Sequence, residues 1–232
     1  MSDDDTPQQD PHPYPVLLDV AGRLAVVVGA RPAAERAAKA LVTHGADVVL
    51  IAPAVSPEIL RMEADGLLTV ESRGYATGDL EGSFIVVAAS GSGDTDAAVV
   101  ADARTARVLI NVPTDAGRSD FIVPSVVRRD GLQIAVSTGG AAPSATREAR
   151  RQISDSFGWE WGPYVRLIGE VRAFALGRTG LGDAALAPLF AAIAVSDVRD
   201  RIRGGEEISA AQLYEEHAAA LAPATDDGGT GE

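Results

Sequence analysis

Strand-sized apolar runs alternate with helical segments over the first half of the chain, and this alternation narrows the fold more than any other feature. Leu24–Val28 is uninterrupted apolar sequence that stops at Gly29, the pattern of a strand buried on both faces. Val48–Ile51 and Phe84–Ala89 repeat it, Leu67–Glu71 reads as a short strand, and Val108–Val112 reads as the next strand after Phe84–Ala89. Between them lie an Ala-rich helical stretch at Ala33–Val42 and a helix from Ser56 (N-cap) and Pro57 (first position) to about Asp65. A third helix is expected from Asp94, as cap, through Arg104. The alternation calls for an α/β fold, a doubly wound parallel sheet with helices on both faces.

After Pro113 the rhythm changes. Phe121–Val127 and Leu132–Ser137 read as two strands joined by Arg128-Arg129-Asp130-Gly131, a hairpin-like connection. Gly139-Gly140 breaks the chain before a helix from Pro143 to about Phe157. Tyr164–Leu221 has helical spacing and looks like two or three helices, with breaks at Gly177–Gly182 and Gly204-Gly205. The expected organisation is a nucleotide domain over 14–113, a dimerisation and substrate segment over 114–157, and a small helical domain over 158–221. Residues 1–13 and 222–232 read as disordered tails, polar and without periodicity.

Composition bounds the chemistry. There is no cysteine, which rules out disulfides, thiolate metal sites and a cysteine nucleophile, and fits a cytoplasmic setting. The start is acidic and polar, unlike a signal peptide, and no apolar run is long enough to span a bilayer. The formal net charge of −13 argues against nucleic acid and anionic membranes as partners. Arg128, Arg129, Arg147, Arg150 and Arg151 nonetheless fall close together, either as a solvated face or as a local site for a polyanion. His12, His44 and His217 share no ligand spacing and read as surface residues, so no metal site is expected. Nothing resembles a Ser/His/Asp triad or a phosphate-binding G-K-[ST] loop.

The turn after the first strand reads Gly29-Ala30-Arg31-Pro32-Ala33-Ala34. In a Rossmann-type fold, glycines here let the backbone approach a dinucleotide pyrophosphate that rests on the helix start. The first Gly and last Ala of G-x-G-x-x-A are present, and Arg31 replaces the middle Gly. The alternative is a plain βα turn with Pro32 opening the helix. The second strand is followed by Ala52-Pro53-Ala54, so the usual ribose carboxylate is missing. Arg31 could reach a phosphate instead, which leaves NADP open beside NAD.

Three further segments carry a resemblance: Tyr14–Arg23 (YPVLLDVAGR); Asn111-Val112 followed by Asp120-Phe121-Ile122-Val123-Pro124-Ser125; and Ser137-Thr138-Gly139-Gly140 followed by Pro143 and Arg147. In order and spacing they resemble the siroheme synthase N-terminal family, over about residues 13–160. The resemblance implies oxidation of precorrin-2 to sirohydrochlorin with NAD⁺, with Fe²⁺ as a further substrate in members that are also ferrochelatases. It also implies a homodimer built through the segment after the nucleotide domain. It places the cofactor at Gly29, Ala30, Arg31, Pro32, Ala33, Pro53, Ala54 and Ser90, and the polycarboxylate tetrapyrrole at Ser137, Thr138, Gly139, Gly140, Arg147 and Arg150. The physical chemistry agrees, because an acidic protein needs local cations and free amides, such as those of Gly139 and Gly140, to hold carboxylates.

Three positions depart from the family pattern. Thr114 stands where the family has its catalytic carboxylate, and a hydroxyl is no base near neutral pH. Asp115, the next residue, is the nearby candidate base for the protons lost, or else a surface-turn aspartate. Ser90-Gly91-Ser92 replaces a Thr-Asp-Asp, and Ala142 a serine. Trp159, Trp161 and Tyr164 either stack on the macrocycle edge or, the preferred reading, anchor a helix junction or dimer contact. Two other readings stay open: a non-catalytic tetrapyrrole- or nucleotide-binding relative, and a nucleotide-gated regulatory domain of a transport system.

Overall fold

The computed structural model describes residues 13–221. The expected tails lie outside the described residues, apart from Pro13. The chain divides into two compact units: one runs to Val123 and includes Thr138–Ala142, the other comprises Pro124–Ser137 and the chain from Pro143 onward.

In the first unit, β1 (Leu24–Val28), β2 (Asp47–Ile51), β3 (Thr69–Glu71), β4 (Ile85–Ala88) and β5 (Leu109–Asn111) form one parallel sheet in the order β3-β2-β1-β4-β5. Successive residues of a strand face opposite sides, and both sides are apolar. Ala25 and Val27 pack with Ala34 and Ala38 of α1 (Pro32–Thr43) and Ile59 of α2 (Pro57–Ala64). Val26 and Val28 pack with Val99, Val100 and Ala103 of α3 (Gly93–Ala106). The doubly wound sheet is therefore present, with helices on both faces.

Local details differ from the sequence reading. The cap of α3 is Ser92, whose hydroxyl accepts from the Thr95 amide, and Asp94 sits in the first turn, where its charge faces the positive end of the helix dipole. The β3–β4 connection has no helix. It is a turn-rich loop held by Leu80, which is buried, and by the Tyr75 hydroxyl donating to Asp102 at 2.8 Å. Burial and the neighbouring Asp102 push the Tyr75 phenol well above its usual range. The segment from Phe121 begins as a cover for β5 rather than as a strand. Asp120 exchanges two bonds with Ile110, the Asn111 side chain donates to the Phe121 carbonyl at 2.9 Å, and Ser119 Oγ accepts from the Val112 amide at 2.9 Å.

The second unit starts with an antiparallel hairpin of β6 (Ser125–Arg129) and β7 (Leu132–Val136), joined by Asp130-Gly131 with Asp130 at φ 48°. The connection is thus tighter than the four residues expected, because Arg128 and Arg129 belong to β6. Next come α4 (Pro143–Ser156), α5 (Trp161–Thr179), α6 (Asp183–Ala194), α7 (Val198–Arg203) and α8 (Ala210–His217). The helical region thus holds four helices rather than two or three, α5 to α8. Gly177 stays inside α5, the break falls at Gly180–Gly182, and the end of α6 at Val195 carries no glycine signal. Leu167, Val171 and Ala175 of α5 pack on Leu186, Leu189 and Ile193 of α6 and Leu213 and Tyr214 of α8. The three- and four-residue spacing of the α5 and α6 sets puts each on one helix face. Among the described residues no helix is long and apolar enough to cross a membrane.

Candidate functional site

The strand order reverses direction of growth between β1 and β4, and a crevice at the carboxyl ends of such strands is where doubly wound sheets bind ligands. The β1–α1 and β4–α3 turns meet there. Gly29 has φ 115°, and a Cβ on it would lie 2.3 Å from the Ala89 carbonyl oxygen, so only glycine lets the two strand ends approach this closely. Ala34 is fully buried, which seats α1 tightly on the sheet. Arg31 is the N-cap of α1 but makes no side-chain cap bond, and Pro32 opens the helix. Instead, the Arg31 side chain lies over Gly91: a Cβ on Gly91, whose φ is 79°, would overlap the Arg31 guanidinium. Among the described residues the Arg31 side chain has no hydrogen-bond or ion-pair partner.

Ser90 is not a free hydroxyl. It donates to Asp96 at 2.7 Å and accepts from the Ser92 amide, while its own amide donates to Asp96 at 3.0 Å. Asp96, buried at 6% exposure, thereby ties the whole β4–α3 turn together. Sequence reading missed Asp96 and Gly91, and the only available signal was an acidic residue in the first turn of a helix after a Ser/Gly loop. Pro53 and Ala54 stand exposed at the carboxyl end of β2. The next strand end carries Arg73, which Asp79 holds through two bonds of 2.7 and 2.8 Å and which also faces Glu71 at 3.4 Å.

Beside β5 a cleft of about 160 Å³ is lined by Asn111, Val112, Pro113, Ala116, Ser119 and Gly140, among others. It brings the Asn111 segment and the Gly139-Gly140 turn to one place. Gly139 and Gly140 have φ 63° and 86°, the left-handed region that favours glycine. The Ala142 amide bonds Thr138 Oγ1 at 3.1 Å and closes the turn. Ser137, Thr138 and Gly139 each have an interaction partner of their own. Thr114 is exposed. Asp115 is bound within its own loop: one oxygen accepts from the Gly117 amide at 3.0 Å and the other from Arg118 at 2.8 Å. Its geometry is that of a cap for the 3₁₀ turn Ala116–Arg118.

In the second unit the arginine cluster sorts itself. Arg129 donates to the Ser154 and Phe157 carbonyls at 2.9 and 2.8 Å and so caps the carboxyl end of α4. Arg151 is paired with Glu148 and Asp155 at 2.6 and 3.0 Å. Arg151, and secondarily Gln152, hold the Glu148 carboxyl down at about 2. Arg128 also has a partner. Arg147 and Arg150 are exposed, three residues apart on one face of α4, with no ion pair among the described residues. Trp161 sits at a helix junction, 4.9 Å from Phe157 and 5.7 Å from Tyr164 between ring centres, with Arg199 over its face at 4.6 Å. His44 and His217 bond carbonyls of their own helices, His12 lies outside the described residues, and no group of three or more metal-ligating side chains occurs among the described residues.

The family model described as "Putative NAD(P)-binding" matches residues 16–125, and that described as "Sirohaem biosynthesis protein central" matches residues 129–156. Siroheme synthase 3 of Aeromonas hydrophila is 32% identical over 158 residues, 68% of this chain and 34% of that protein. The chain thus spans about a third of the length of such curated relatives. The precorrin-2 dehydrogenase of Priestia megaterium is 30% identical over 159 residues, 68% of this chain and 78% of that protein. The solved structure of SirC, precorrin-2 dehydrogenase, superposes with a TM-score of 0.71 at 24% identity over 89% of this chain and 99% of that one, which shows a shared fold. The chain belongs to the family that contains precorrin-2 dehydrogenase and the matching part of the siroheme synthases.

Proposed function

We propose that this chain oxidises precorrin-2 to sirohydrochlorin with NAD⁺, a step in siroheme synthesis. The observation that carries the reading is the match to a precorrin-2 dehydrogenase over most of that enzyme's length, in a chain that keeps the glycine-pinned β1/β4 crevice. The crevice fits a dinucleotide: two turns with glycines at positive φ, one helix start without a side-chain cap, and one unpaired cation. When bound, NAD⁺ supplies the hydride acceptor. The turn Gly29, Ala30, Arg31, Pro32 and Ala33 seats the pyrophosphate, Pro53 and Ala54 flank the adenosine, and Ser90 with Asp96 fixes the facing turn. Arg147 and Arg150 neutralise substrate carboxylates, and the Ser137–Gly140 turn lines the substrate side. The substrate loses two hydrogens, one as hydride and one as a proton. In this reading Asp115 shapes the loop next to Thr114, and its carboxylate is released as a base only if the Arg118 pair opens.

The working assembly in this proposal is a homodimer. No residue of α4 is buried within the chain, and Ile134 and Val136 of β7 are only partly covered. A second copy would cover this surface, and light scattering at micromolar concentration gives the mass. The second reading, a non-catalytic binder of tetrapyrrole or nucleotide, draws on Thr114 and on the engagement of Asp115 by Gly117 and Arg118. Anaerobic incubation with precorrin-2 and NAD⁺, with NADP⁺ and Fe²⁺ in parallel arms, separates the readings. Sirohydrochlorin formed above the no-enzyme rate supports the dehydrogenase, and a further spectral shift with Fe²⁺ adds iron insertion. No acceleration from folded protein leaves the binder.

A further inference from the structure

The dinucleotide crevice, taken as such from the proposed function, has an asymmetry that bears on which cofactor it accepts. In doubly wound folds the ribose of the adenosine is read at the carboxyl end of β2, and the pyrophosphate lies over the β1–α1 turn. Here the sheet order places β2 on one side of β1 and β4 on the other. Arg31 leaves the β1–α1 turn toward the β4 side, because its guanidinium rests on Gly91. It therefore points away from the strand end where a 2′-phosphate would be recognised. That end, Ala52-Pro53-Ala54, carries neither an acid to bind the 2′-hydroxyl and repel a phosphate nor a base to attract one. The cation on the neighbouring strand end, Arg73, is committed to Asp79 and Glu71.

We propose that Arg31 is a counter-ion for the pyrophosphate, lodged against Gly91 and blind to the 2′ position, and that the chain accepts NAD and NADP without discrimination. Gly91 is part of the device. A side chain there would take the volume of the Arg31 guanidinium, so glycine at 91 and arginine at 31 act as a pair. The arginine supplies a planar donor fork suited to phosphate oxygens, in place of the close backbone approach that a glycine at position 31 would have allowed. The buried Asp96 in the same turn does not compete for the guanidinium, since its hydrogen bonds are to the amide and hydroxyl of Ser90.

Titration calorimetry with NADH and with NADPH, on the full chain and on Arg31→Ala and Arg31→Lys, tests this. The dissociation constants for the two nucleotides on the unaltered chain are expected within about fivefold of each other, and Arg31→Ala is expected to weaken both by a similar factor of about ten, one charge-assisted contact to a phosphate lost. Arg31→Lys keeps part of the affinity, and the gap between it and the unaltered chain narrows as salt rises. Circular dichroism melts establish that the variants fold. Loss of NADPH binding alone in Arg31→Ala would mean that Arg31 reads the 2′-phosphate, and unchanged binding of both would mean that it reads no phosphate. Preference of the unaltered chain for one nucleotide by about a hundredfold or more would overturn the absence of discrimination. Failure of either nucleotide to bind the folded, unaltered chain would strike the dinucleotide reading itself and the inference with it.

Discussion

A carboxylate next to a missing one invites the assumption that it has taken over the work, and Asp115 shows why partners must be counted first. Its oxygens are held by Gly117 and Arg118; asparagine keeps the capping bond from the Gly117 amide and gives up the one from Arg118. Asp115→Asn should therefore leave the rate of sirohydrochlorin formation within about threefold, whereas loss of a true general base costs on the order of a hundredfold or more. Stopped anaerobic assays read the difference. Gly29 makes the opposite case, a residue with no side chain and little freedom to change. Gly29→Ala would force a methyl into the Ala89 carbonyl from a backbone at φ 115°, and should cost about 2–4 kcal/mol of stability, visible as a drop in melting temperature. The importance of Gly29 was legible from the apolar run that stops at it. The close approach of Ala89 to it was not, because that contact spans two strands that are distant in sequence.

Elements were legible where burial is two-sided. The central strands β1, β2 and β4 are apolar runs covered on both faces, and sequence alone places all five strands with ends shifted by a residue or two. Edges and caps were less so, because they depend on partners far along the chain. Phe121 was read as strand, yet its carbonyl serves Asn111, and Arg129 was grouped with the cations when its bonds lie 25 and 28 residues away at the end of α4. The arginines make a contrast that can be measured. Arg129→Ala removes the α4 cap and should cost about 2 kcal/mol, read from denaturant melts. The double variant Arg147→Ala/Arg150→Ala should leave the melt unchanged and raise KM for the polycarboxylate substrate by about tenfold or more. An unchanged KM would remove α4 from the substrate site.

Across the whole molecule, acidic residues outnumber basic ones, and the helical unit keeps its acids charged by pairing them. Arg203 holds the buried Glu160 below the usual carboxylate range, and Arg201 does the same for Glu206 and Glu216. A carboxyl whose pKa is lowered on folding stabilises the fold above its unfolded pKa and loses that contribution as pH falls through the folded one. The melting temperature of the chain should thus hold steady above about pH 5 and fall on acidification below the ordinary glutamate range. Glu160→Gln should begin lower and show a shallower fall over the same interval. A matching acid slope for both proteins would show that Glu160 has no part in it.

The last strand of the sheet ends in a way that bears on life in a crowded solution. A bare strand edge is a row of unpaired donors and acceptors that another chain can extend. Along β5 those groups are answered by side-chain oxygens of Ser119 and Asp120 and by the backbone that follows, so the edge is closed by a loop and not by a further strand. At the opposite margin β3 is three residues long and ends in a glutamate. The sheet therefore offers a second folded copy no long template at either side, and edge-to-edge strand addition is blunted.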